Sequence, residues 1–205
     1  MIRFYKTPWF TRLWYPDLVW SIQSQNSIYL TFDDGPIPKV TEWILDELKK
    51  VNARATFFCI GKNLEANTVI GKRIIEEGHQ IGNHTYSHLN GWKTTTSNYL
   101  EDVRLGEEVI REQGVDSTLF RPPYGRIKRG QIKRFSKKLI MWSHLSWDFD
   151  SNLNVEKSIS KLKCAKPGSI LVFHDSERAF ENLKLILPEI LAHFQSKGFK
   201  FEAIS

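Results

Sequence analysis

Side chains able to do chemistry follow one apolar run after another in this chain, and that placement constrains its fold more than any other feature. From residue 27 onward, short β-rich runs alternate with helical stretches. The pattern predicts strands at 27–32, 55–60, 79–83, 118–120, 139–143, 169–173 and 199–204. It predicts helices at 39–50, 64–77, 98–113, 155–164 and 181–195, with a basic helix inside 126–138. Such alternation with short connections favours a parallel α/β sheet, open or closed into a barrel. In these folds ligands gather at the carboxyl ends of the strands. Here Asp33 and Asp34 follow the first run, His84 and His88 the third, and Arg121 the fourth. Asp148 and Asp150 follow the fifth run, and His174 with Asp175 the sixth.

A length of 205 residues fits one domain. With 41% apolar and 25% charged residues, the chain is neither a disordered tail, a fibre nor a disulfide-stapled miniprotein. No run reaches the roughly 18 apolar residues of a membrane span. The net charge of +6 favours anionic surroundings, although 23 acids are interspersed among 29 bases. No RRM, zinc-finger or helix-turn-helix signature points to nucleic acid. Cys59 and Cys164 sit in apolar stretches and read as buried free thiols. In the last helix Leu183, Ile186, Leu187, Ile190, Leu191 and Phe194 trace one face, and Pro188 within it predicts a kink or a split.

Residues 1–26 form an aromatic-rich N-terminal segment expected to pack on the main domain. Phe10, Leu13 and Trp14 fall at helical spacing between Pro8 and Pro16, which predicts a short amphipathic turn. A partner surface or a peripheral membrane contact is the alternative use of those aromatics. Pro8, Arg12, Pro16 and Asp17 interrupt any apolar core of a secretory signal, so a cytoplasmic location is expected.

The polar residues carry specific chemistry. Asp33 and Asp34 are adjacent, so both reach one site only if the chain turns there, and Gly35-Pro36 supplies a turn. His84 and His88, four apart, would stack two imidazoles on one side of a helical turn. Two histidines with one carboxylate make a metal set with an open position; a hydrogen-bonded structural pair is the plainer alternative. Arg121 precedes Pro122-Pro123-Tyr124-Gly125, a rigid loop in which a planar guanidinium could hold a carboxylate and an amide N–H could face a reacting oxygen. His174 emerges from a buried run and is either a core histidine or a general acid. Other readings of the chain are an aspartyl phosphotransferase and a barrel that binds glycans without turnover.

Taken in order, Thr31-Phe32-Asp33-Asp34-Gly35-Pro36, Gly82-Asn83-His84-Thr85-Tyr86-Ser87-His88, Arg121-Pro122-Pro123-Tyr124-Gly125 and Leu171-Val172-Phe173-His174 resemble the polysaccharide deacetylases with a NodB homology domain, carbohydrate esterase family 4. The resemblance covers 27–205 and implies one α/β domain, a distorted (β/α) barrel with about seven parallel strands. It implies removal of N-acetyl groups from GlcNAc-containing carbohydrate, with O-acetyl esterase activity as the alternative. It also implies a divalent metal, most often zinc, although cobalt, nickel or iron suit the same ligand types. Asp34, His84 and His88 then look like the metal ligands and Asp33 like the base. Arg121 would hold Asp33, His174 would be the acid, and Asp150 would orient His174. Tyr124 and Pro122 would meet substrate, Tyr124 through its backbone N–H. Where the family usually has an Asp-Trp pair, this chain reads Leu153-Asn154.

Overall fold

A computed structural model describes residues 3–205. Seven strands lie in the order β5-β4-β3-β2-β1-β7-β6, every neighbouring pair parallel. They are β1 (Ser27–Asp33), β2 (Ala55–Cys59), β3 (Gln80–Asn83), β4 (Leu119–Phe120), β5 (Lys138–Leu139), β6 (His144–Leu145) and β7 (Ile170–His174). An eighth short strand, β8 (Lys200–Phe201), pairs with the start of β1. Parallel strands need crossovers, and the chain supplies them with helices. These are α2 (Val40–Lys50), α3 (Gly61–Ala66), α4 (Thr68–Glu76), α5 (Thr96–Glu112), α6 (Arg129–Ile132), α7 (Val155–Leu162) and α8 (Glu177–Ser196). The short helix α1 (Phe10–Trp14) precedes the sheet.

Every residue of β1 is buried, as expected of a strand covered on both faces. Its alternation sorts side chains between two compartments. Ile28, Leu30 and Phe32 join Leu171 and Phe173 of β7 in the main core, against Ile44 and Leu48 of α2 and Ile186, Leu187 and Ile190 of α8. Tyr29 belongs instead to a separate cluster with Phe58, Leu119, Ile140 and Ile170. Asp33 follows the parity of Tyr29, and His174 that of Ile170, so the strand period aims both away from the helices. The register completes the placement, because Asp33 lies level with His174 on β7.

Several expectations need correction. The helix predicted at 64–77 is two, divided at Asn67, whose side chain donates to the Pro36 and Asn63 carbonyls. The strand predicted at 139–143 is instead a crossing: the chain pairs with β4 at Leu139 and meets β7 at Ser143 and His144. Of the basic stretch 126–138, only Arg129–Ile132 is α-helical. Pro188 does not split α8, whose buried face holds the helix together across the missing N–H. Cys164 is exposed, since it follows the end of α7 rather than lying on its inner face; Cys59 is buried, and both are free.

The N-terminal segment runs beside the crossing chain. Thr7 donates to Ser143 O, Val19 donates to Leu139 O, and Met141 returns a bond to Val19 O. Tyr5, Leu18 and Trp20 are buried in these contacts.

Asn154 caps α7 by accepting the Lys157 N–H at 2.7 Å. Asn154→Ala should cost about 1 kcal/mol, whereas Phe173→Ala, which empties the main core, should cost about 3–5 kcal/mol. Urea unfolding of the two variants measures that contrast.

Candidate active site

The site begins where β1 ends. Asp33 remains in strand geometry, while Asp34 takes a left-handed backbone (φ 89°), so two consecutive carboxylates turn toward one another's side. Three neighbours hold that turn. Gly35 N–H donates to the Asp175 carboxylate at 2.8 Å, Thr41 Oγ1 donates to the same group at 2.7 Å, and Asn63 Nδ2 donates to Asp34 O. A Cβ at Gly35 would collide with Asp175, which is why a residue without one stands there. Burial raises the Asp175 carboxyl to about 8 against the opposing pull of its two donors.

His84 and His88 do not lie on a helix. The segment after β3 is irregular, with Thr85 and His88 both at positive φ. Two polar residues shape it. Asn83 accepts the Thr85 N–H and donates to Val103 O, while Asp102 of α5 accepts from the Ser87 N–H and hydroxyl. Asp102 was outside the sequence reading, because its contact spans 15 residues and an acid in a helix carries no local mark.

His84 Nδ1 lies 2.7 Å from Arg121 O. A carbonyl only accepts, so Nδ1 carries the proton and Nε2 keeps its lone pair. Burial pushes the His84 pKa down to about 4, which keeps the ring neutral near pH 7. That lone pair points toward Asp34 Oδ1 at 3.7 Å, and His88 Nε2 lies 3.2 Å from the same oxygen. Burial acts to raise the Asp34 pKa, but the His88 hydrogen bond and neighbouring histidines prevail and hold it well below the usual carboxylate range. One ligand atom from each of Asp34, His84 and His88 lies within 4.8 Å of the others. Two imidazole nitrogens and a carboxylate converging on one point make a donor set that suits a divalent cation.

Beside this set lies a buried ion pair. Arg121 Nη1 donates to Asp33 Oδ1 at 2.7 Å and to Thr31 Oγ1 at 2.7 Å. Its Nε and Nη2 donate to Ile140 O and Met141 O of the crossing chain, and its guanidinium lies over the Phe58 ring at 4.1 Å. Burial lowers the Arg121 pKa and Asp33 opposes it. Pro122 is buried, and Tyr124 is exposed at positive φ with its ring 4.6 Å from that of His88. Among the described residues no acceptor pairs with the Tyr124 N–H.

On the other side, His174 Nδ1 meets Asp148 Oδ1 at 2.7 Å, and the His174 N–H donates to Asp148 Oδ2 at 2.8 Å. The expected partner Asp150 is elsewhere. It accepts from the Arg3 guanidinium at 2.8 and 2.5 Å, so Asp148, not Asp150, holds the imidazole. Trp147 at φ 61° turns the chain just before Asp148. Burial acts to lower the His174 pKa, but Asp148 overrides it and raises the group to about 9.

The sequence profile described as Polysaccharide deacetylase matches residues 21–139. The chain belongs to the polysaccharide deacetylase family. It is 32% identical over 197 residues to a peptidoglycan-N-acetylglucosamine deacetylase of Bacillus cereus, covering 92% of this chain and 91% of that one. A Listeria monocytogenes protein of the same name is 32% identical over 89% of this chain, which spans only 39% of its length. Among solved structures, a peptidoglycan N-acetylglucosamine deacetylase in complex with 4-naphthalen-1-yl-N-oxidanyl-benzamide superposes with a TM-score of 0.86 at 32% identity, covering 97% of this chain and 95% of that one. Membership makes this deacetylase-family protein a hydrolase of the carbohydrate esterase 4 type.

If Asp148 raises the His174 pKa, Asp148→Asn should move that titration down from about 9 toward the ordinary histidine range near 6.5, and Asp150→Asn should leave it in place. Imidazole NMR titration of both variants reads the difference directly.

Proposed function

We propose that this chain is a metal-dependent N-deacetylase acting on GlcNAc-containing glycan, with peptidoglycan the substrate class favoured by its relatives' names. The observation that carries the reading is the meeting of three groups at the carboxyl end of the sheet. These are the Asp34–His84–His88 donor set, the Arg121-held Asp33, and the Asp148-held His174.

Asp34, His84 and His88 would hold the cation. When bound, it would act as a Lewis acid, bringing the pKa of a coordinated water from about 15.7 to near 7 and polarising the acetyl carbonyl. Asp33, aimed by its hydrogen bond from Arg121, takes a proton from the attacking water. The Tyr124 N–H is aimed at the carbonyl oxygen, where charge develops as the carbon becomes tetrahedral. His174 then delivers its proton to the amide nitrogen, the C–N bond breaks, and acetate and a free amine leave. An amine is a poor leaving group until protonated, so an amide depends on His174 more than an acetyl ester does. Protonated His174 is the active form and its pKa is raised, so the acid is present at neutral pH and is lost as pH rises through about 9.

Acetate release from N-acetylated chito-oligosaccharide and peptidoglycan, with and without chelator, tests the assignment alongside metal analysis. Asp33→Asn should retain metal and lose roughly 10²–10⁴ in rate, whereas His84→Ala should lose metal and rate together. His174→Ala should damage amide cleavage far more than cleavage of an activated acetyl ester. Full activity in metal-free protein, or equal losses on both substrates, would contradict the reading.

A further inference from the structure

No residue of α1 is buried, and Trp9 just before it is exposed. Trp9 is 74% exposed, Leu13 68%, Trp14 63% and Phe10 42%, and no residue of the helix belongs to a core cluster. The rings touch each other instead: Phe10 lies 5.6 Å from Trp14 and 6.3 Å from Trp9. The neighbouring Tyr5, Leu18 and Trp20 are buried, so the segment is anchored on both sides and holds this aromatic knob in water. A contiguous apolar patch of that kind on an otherwise well-packed domain marks an interaction surface.

The charge around the knob identifies what it meets. Lys6 and Arg12 are exposed within the segment, with Asp17 its single acid. From the other side, α6 brings a cationic stretch against it. Arg129 lies over the Tyr15 ring at 5.8 Å and reaches Trp14 O, and Lys133 shares a cleft with Leu13 and Trp14. Of the seven basic side chains in 126–138, Arg129, Lys133 and Arg134 are exposed, whereas Lys137 pairs with Glu107, Lys138 reaches Ser205 O and Arg126 lies over the Trp92 ring. Exposed indoles and a leucine ringed by cations match the two zones of an anionic lipid surface: rings in the headgroup layer, ammonium and guanidinium groups on the lipid phosphates. No helix among the described residues is long and apolar enough to span a bilayer.

We infer that α1 and the cations that α6 sets beside it, Arg129 and Lys133, together form a docking surface for an anionic bilayer, holding the domain at the membrane face. None of its knob residues belongs to the hydrolytic site, so the inference stands apart from the catalytic reading.

Sedimentation of the full chain with vesicles of phosphatidylcholine, alone or mixed with phosphatidylglycerol, tests it. The protein should bind the anionic vesicles, bind the neutral ones weakly, and release as salt rises. The Trp9→Ser, Trp14→Ser double variant should lower partitioning at least roughly tenfold, and Arg129→Gln with Lys133→Gln should weaken only the anionic case. Both variants should keep wild-type near-ultraviolet dichroism and acetate release from soluble oligosaccharide. Failure of the wild type to sediment at low salt, or equal sedimentation of the Trp variant, would overturn the inference. So would a wild-type dimer in sedimentation velocity that the Trp variant abolishes, since the knob would then serve a second copy.

Discussion

The buried pair of Arg121 and Asp33 is the constraint around which the molecule is organised. A guanidinium without solvent is costly unless every donor finds an acceptor. Arg121 pairs four of its five N–H groups, with Asp33 and Thr31 on β1 and with two carbonyls of the crossing chain. In doing so it ties together the two sides of the barrel interior. The same side chain that closes the fold also fixes a carboxylate at the strand end, so stability and site geometry depend on one set of hydrogen bonds. Breaking such a pair from one side strands the other charge, which couples any change at Asp33 to the fold.

Around that pair the backbone is held in conformations it would not choose locally. Asp34, Thr85, His88, Tyr124 and Trp147 all have positive φ, and each lies in a loop that leaves the carboxyl end of a strand. Non-glycine residues keep such angles only where surroundings over-determine them. Here the surroundings are identifiable: Asp175 and Asn63 for the Asp34 turn, and Asn83 and Asp102 for the His84–His88 loop. These polar residues never face the reaction centre, yet they set where its ligands point.

Much of this was legible in the sequence, and the failures have physical causes. Strand positions could be read because fully buried parallel strands are continuous apolar runs, and the loops after them carry the polar residues. The His84–His88 pair was found through its spacing, but the helical reason given for it was wrong. Irregular backbone braced by Asp102 brings the rings together. The choice between Asp148 and Asp150 went astray because both follow the same run. Arg3, 147 residues away in sequence, claims one of them and the turn at Trp147 delivers the other. Pro188 misled in the same way, because local propensity yields to a helix face buried along its length.

The sequence by itself determined the alternation of strands and helices, the side of the sheet on which chemistry gathers, and the residue types available there. Those follow from periodicity and from backbone hydrogen bonding, which are local. Tertiary structure alone decided which carboxylate serves which partner, which nitrogen of His84 keeps its lone pair, and which aromatics remain in water. Each of those depends on groups far apart in the chain arriving within about 3 Å of one another, a distance that no local pattern encodes.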